Sequence, residues 1–115
     1  MDTMLLGETI ASPGGDLVYY GDWESADGND GVAAVEVFRL NVANAFAVHL
    51  ETKSSDEDDG AASGIGSVVL SSTTPQVYKF DVTNAKDLVR YKVVSQEDAP
   101  SYLHVQFAQP SWAPN

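Results

Sequence analysis

The chain has 115 residues, 17 acidic side chains against 6 basic ones, a net charge of −11, 43% hydrophobic residues and no cysteine. This is the composition of one folded domain, not of an acidic disordered tail or a membrane span. The absent cysteines exclude disulfides, zinc–thiolate centres, iron–sulfur clusters and thiol catalysis, and the scarcity of Lys and Arg argues against a phosphate-backbone partner.

The charge is uneven. Residues 1–60 hold thirteen acids against Arg39 and Lys53, whereas residues 61–115 hold four acids and four bases. Either half alone would be marginal in size, so the asymmetry reads as one domain with a polarised surface. The start, Met1 to Glu8, has an acid at position 2 and only a short apolar run, which does not match a signal peptide. The longest apolar stretches fall far short of the roughly 18–20 residues that span a bilayer. The expectation is synthesis in a cytoplasm with no membrane partner.

In chain order, eight segments rich in Val, Leu, Tyr and Phe read as strands: 4–10, 16–23, 32–42, 45–53, 65–71, 76–83, 88–95 and 101–108. Turn clusters separate them at Pro13-Gly14-Gly15, Asp27 to Gly31, Ser54 to Gly64 and Thr73-Thr74-Pro75. Phe46, Val48 and Leu50 alternate with Ala47, His49 and Glu51; Val89, Tyr91 and Val93 alternate with Arg90 and Lys92. Leu103, Val105 and Phe107 likewise oppose Tyr102, His104 and Gln106. Each pattern describes a strand with one face on a core and one face wet. In 32–42 the parity slips: Val35 and Val37 are in one phase, Leu40 and Val42 in the other. A β-bulge at Phe38 restores both halves to the core. No stretch of ten residues keeps a helical period, and Asn84 to Asp87 could make one turn at most. The predicted fold is all-β, a single antiparallel β-sandwich of about eight strands, jelly-roll-like, over 1–108. Residues 109–115 form an extended C-terminal tail.

Two acidic loops invite a search for calcium, which takes carboxylate and carbonyl oxygens. Asp27-Gly28-Asn29-Asp30-Gly31 opens like an EF-hand loop but places Gly31 and Phe38 where ligands are required. Ser55-Asp56-Glu57-Asp58-Asp59-Gly60 packs four consecutive acids whose side chains point apart. Both read first as solvated turns, with a Ca2+ site as the lesser alternative. His49 and His104 occupy outward strand positions; as neighbours they would hint at a metal or a pH switch, and otherwise they are surface histidines. There is no nucleophile elbow, Walker loop or HExxH, and Gly60 to Gly66 lacks the lysine of a phosphate cradle. The reading is of a protein that is not an enzyme, with no catalytic residue and no cofactor.

The aromatics offer a binding chemistry. Tyr19, Tyr20 and Trp23 cluster near the second strand, where rings beside carboxylates could stack on a sugar while the acids bond its hydroxyls. The tail places Trp112 between Pro110 and Pro114. It either folds back on its own domain or docks on a neighbour. The candidate partner-binding residues are therefore Trp112, Pro110, Pro114, Trp23 and Tyr20.

Four stretches carry a family resemblance: Asp16-Leu-Val-Tyr-Tyr, Val35-Glu-Val-Phe-Arg-Leu, Phe46-Ala-Val-His-Leu-Glu-Thr-Lys-Ser-Ser-Asp-Glu-Asp, and Val77 through Val93. Over about residues 16–108 the chain resembles small β-sandwich accessory proteins of tailed-bacteriophage virions. A similar strand order occurs in carbohydrate-binding jelly rolls such as discoidin-like modules. The resemblance implies a virion structural protein, first of all a capsid decoration (cement) protein. Such a protein binds the major capsid protein or other virion proteins, usually as a homo-oligomer on the particle, and stabilises the head. A small head–tail or tail component, or a glycan-binding module, is the alternative. The 54–64 loop departs from the family pattern in lacking a tryptophan.

Overall fold

The computed structural model describes residues 8–12, 15–41, 46–70, 76–97 and 101–113, and the side chains of 18–38, 46–70, 76–95, 103–108 and 110–113. The strands are β1 (Glu8–Ser12), β2 (Gly15–Tyr20), β3 (Glu24–Ser25), β4 (Gly31–Asn41), β5 (Phe46–Lys53), β6 (Ser63–Leu70), β7 (Gln76–Val82), β8 (Leu88–Glu97) and β9 (Ser101–Trp112). Each of the eight expected segments overlaps a strand. β1 shares only residues 8–10 with the expected 4–10, whose first four residues lie outside the described ones, and β2 ends at Tyr20 where 16–23 is expected. β3 is a two-residue addition on β8, too short to leave a pattern in the sequence. Asn84 makes no helical turn; it takes φ 61° between β7 and β8, a left-handed conformation that Asn tolerates.

Two sheets form, in the orders β1-β9-β4-β7 and β2-β8-β5-β6. Their antiparallel pairs are nested: β1 with β9, β2 with β8, β4 with β7 and β5 with β6. This is one long hairpin, rolled so that β9 also meets β4 and β8 also meets β5. The all-β sandwich is therefore a jelly roll. Its core lies between the sheets, where Phe46, Phe107, Leu50, Leu70 and Leu103 are fully buried. Each such side chain contributes about 1.5–3 kcal/mol by leaving water.

Bulges keep the long strands in phase with that core. The β4–β9 register shifts between Val37 and Arg39, so Phe38 is the extra residue, as the parity slip predicts; it is 38% exposed. A second shift lies between Val32 and Ala34 and sets Gln109 and Pro110 opposite Ala33. Without an N–H, Pro110 cannot serve the ladder, and bulges are where sheets accept proline. The same shift exchanges inward and outward positions on β9. Leu103, Val105 and Phe107 are buried before it, Pro110 is buried after it, and Trp112 packs on the core.

The expected boundary at 108/109 accordingly falls inside β9, and the segment through Trp112 is a strand of the domain, paired with Gly31. Pro114 lies outside the described residues, as do residues 1–7, Pro13 and Gly14 of the first expected turn and all of the expected turn Thr73-Thr74-Pro75.

Tyr91 ties the two sheets together at the second bulge. From β8 its hydroxyl donates across the core to the carbonyls of Ala108 at 2.6 Å and Ala34 at 3.1 Å. Its ring stacks on Phe107 with centroids 4.7 Å apart. Burial pushes the phenol well above its ordinary pKa, so the proton stays in place as donor. Tyr91→Phe keeps the ring and removes the one hydroxyl proton that the two carbonyls share. The expected loss in urea unfolding is about 1–3 kcal/mol; an unchanged midpoint and slope would refute the bridge.

Candidate interaction face

The outward residues of the β2-β8-β5-β6 sheet align in rows set by the register. Val18 faces Val94, Val94 faces Ala47, and Ala47 faces Val69. This apolar row crosses all four strands, and its ends are open, Val18 at 49% and Val69 at 57% exposure. The next row reads Tyr20, Lys92, His49 and Ser67. Beyond it Arg90 sits opposite Glu51.

Arg90 organises that end of the face. Its guanidinium carbon lies 4.1 Å from the centroid of the Tyr20 ring and 4.3 Å from that of Trp23, so two aromatic faces hold one planar cation. Its Nε donates to Glu51 Oε1 at 3.0 Å, and Lys92 Nζ stands 3.9 Å from the other oxygen. The Arg90 and Glu51 side chains are only 11% and 12% exposed. Charges this covered persist because they are paired. Lys53 lies over the Trp23 ring at 4.9 Å.

The acidic 54–62 connection closes over the same end. Lys53 Nζ and Trp23 Nε1 both donate to Asp59 Oδ1, at 2.7 and 3.1 Å. Glu57 accepts from the Ser54 N–H and from Lys86 Nζ, and Asp87 accepts from the Ser55 N–H. Each of these carboxyls is held below its ordinary range: Asp59 first by the hydrogen bond from Lys53, Glu57 first by the Ser54 N–H, and Asp87 first by the Ser55 side chain. The loop is therefore tied down by cations and backbone donors, while Asp56 and Asp58 remain exposed. In the other acidic loop Asp30 Oδ1 accepts from the Asn84 N–H. Among the described residues no three carboxyl or imidazole groups converge as a metal site would require, and no helix is long and apolar enough to cross a membrane.

The candidate residues from the sequence separate into two places. Tyr20 and Trp23 come together around Arg90, and the guanidinium occupies ring surface on which a sugar would have stacked. Pro110 and Trp112 turn inward on the opposite sheet, so the segment through Trp112 folds back on the domain. His49 and His104 lie on different sheets; His104 meets the Phe38 ring edge-on at 5.3 Å. They are not neighbours. Alternation in the sequence marks Arg90 and Lys92 as outward, but that Arg90, Lys53 and Glu51 join Trp23 does not show in it. The outward parity was the available signal, and the long-range strand pairing needed to use it was not.

No protein-family model matches the chain, and no curated protein sequence is significantly similar to it.

The pinned carboxyls have a signed consequence. A folded-state pKa below the unfolded value contributes stability above the ordinary carboxyl range, and that contribution is lost as pH falls through the folded value. The melting temperature of Asp59→Asn should therefore lie below wild type at neutral pH, with the gap closing below about pH 4. A gap of constant size across that range would contradict the pairing.

Proposed function

We propose that this chain is a non-enzymatic structural protein of a tailed-phage virion, a capsid decoration protein that seats the outer face of its β2-β8-β5-β6 sheet on the head shell. The observation that carries this reading is the open valine row Val18–Val94–Ala47–Val69, bordered by Lys92, Arg90 and Lys53. A sheet face of this kind offers an area to another protein, with an apolar row and charged residues beside it. Half of the six Lys and Arg residues of a chain with net charge −11 stand at this face, so it is where an acidic protein meets least repulsion. Jelly rolls build capsid and lectin domains alike, a fold-level analogy that supports the class and not the partner. Decoration at many copies stabilises a shell by mass action, because ligand bound to the assembled state opposes its opening.

The test is co-sedimentation with undecorated phage heads. Wild type should bind in stoichiometric amounts and raise their thermal stability. Val18→Lys and Val69→Lys, both at exposed positions, should fold normally and lose at least about tenfold in affinity, some 1.4 kcal/mol. Absence of binding by wild type would overturn the virion reading, and binding undiminished in both variants would overturn the face.

A second reading, a carbohydrate-binding module, is favoured by one feature. An open groove at the end of the β1-β9-β4-β7 sheet is lined by Asp30, Asp81, Thr83, Ser111 and Trp112, the mixture of carboxylate, hydroxyl and aromatic groups that sugars engage. It requires that soluble sugars change the tryptophan fluorescence and that Asp81→Ala abolish the change.

A further inference from the structure

Asp59 stands on the solvent side of a site whose other walls are covered. Lys53 and Trp23 donate to its Oδ1, and Arg90 Nη1 lies 3.6 Å from Oδ2. The three donors come from three places in the chain: the segment before β3, β5 and β8. The Lys53 and Arg90 side chains are each 11% exposed, against 63% for Asp59. The donors are set into the sheet, and the acceptor occupies the side from which another chain's carboxylate would approach.

The segment bearing Asp59 is held by polar ties. Its 3-10 turn, Asp59–Ala61, buries no residue and has no side-chain cap. A Cβ added to Gly60 would meet nothing within 4 Å. The other side-chain ties are polar: Lys53 Nζ also donates to the Glu57 carbonyl and the Ser54 N–H donates to Glu57 Oε1, both partly covered, while Glu57 to Lys86 and the Ser55 N–H to Asp87 are exposed. A segment without apolar burial opens at low cost compared with the strands beneath it.

We propose that Trp23, Lys53 and Arg90 form a carboxylate-binding site for an acidic segment of a partner protein, with Asp59 as its internal stand-in. An incoming Asp or Glu would replace one carboxylate by another, so the two covered cations keep a counter-charge throughout. The Tyr20 and Trp23 rings hold the guanidinium in place beforehand, and Glu51 retains its Nε. Little side-chain freedom is then lost on binding. A seated Asp59 also weakens the site until it is displaced. If the loop is closed about 90% of the time, the apparent dissociation constant rises roughly tenfold. This inference goes beyond the virion reading and does not rest on it: the donor set would accept an acidic segment from a shell protein or from any other partner.

The experiment titrates a short, blocked oligoglutamate peptide into the full chain, followed by calorimetry and by tryptophan fluorescence. Asp59→Ala should bind it at least roughly tenfold more tightly than wild type, with affinity falling as salt rises. Lys53→Met added to Asp59→Ala should abolish the gain. Glu57→Gln, which loosens the loop without touching the donors, should produce a smaller gain and decides the matter if Asp59→Ala does not fold. The proposal is overturned if the folded loop variants bind no more tightly than wild type, or if the gain survives Lys53→Met. Because no phage head enters the assay, its failure leaves the co-sedimentation result unaffected.

Discussion

Strand β8 carries its two most consequential side chains back to back, and period-two alternation compels the arrangement. Tyr91 points into the sandwich and Arg90 points out of it. The tyrosine hydroxyl reaches the carbonyls of Ala34 and Ala108 on the opposite sheet, beside the bulge at Gln109–Pro110. That bulge turns Pro110 and Trp112 inward, so one buried donor stands where the end of β9 joins the core. One residue earlier, Arg90 gathers Tyr20, Trp23 and Glu51 on the outer face. The register that positions the first contact therefore positions the second. A slip of one residue in β8 would put the guanidinium in the core and the phenol in water.

The outer face follows from how this charge is accommodated. Arg90 and Glu51 are too covered to stand alone, and each is stabilised by a ring or a counter-charge already in place. Lys53 is satisfied by the loop that crosses above it. The adjacent valine row has no such cover at either end. The face thus divides into an apolar half open to a partner and a charged half closed by the protein's own Asp59. An acidic molecule presenting its cations in one place is physically suited to a partner that is apolar in part and acidic at its margin.

Much of the architecture was legible because it is local. Alternation in 46–51, 88–94 and 101–107 marks the strands, and the parity slip at Phe38 marks the first bulge before any pairing is known. The second bulge was hidden because Pro110 looks like the end of a strand. Only the register of Ser111 with Val32 and of Trp112 with Gly31 shows that the chain continues through it, and from the sequence alone the tail could either fold back or dock on a neighbour. The site was less legible than the fold for a related reason. Trp23, Lys53, Asp59 and Arg90 are brought together by pairings between β2, β5 and β8, and a rolled hairpin joins residues far apart in sequence. The same non-local pairing places His49 and His104 on separate sheets. Neither outcome leaves a trace in spacing.

If the chain decorates a phage head as proposed, the β2-β8-β5-β6 sheet, and not its partner sheet, meets the particle. The most direct measurement is a high-resolution reconstruction of phage heads incubated with the purified chain. Density for the jelly roll is expected with Val18, Val94, Ala47 and Val69 against the shell and the β1-β9-β4-β7 sheet toward solvent. Density with the β4 and β9 outer residues on the shell, or heads that remain bare, would contradict it.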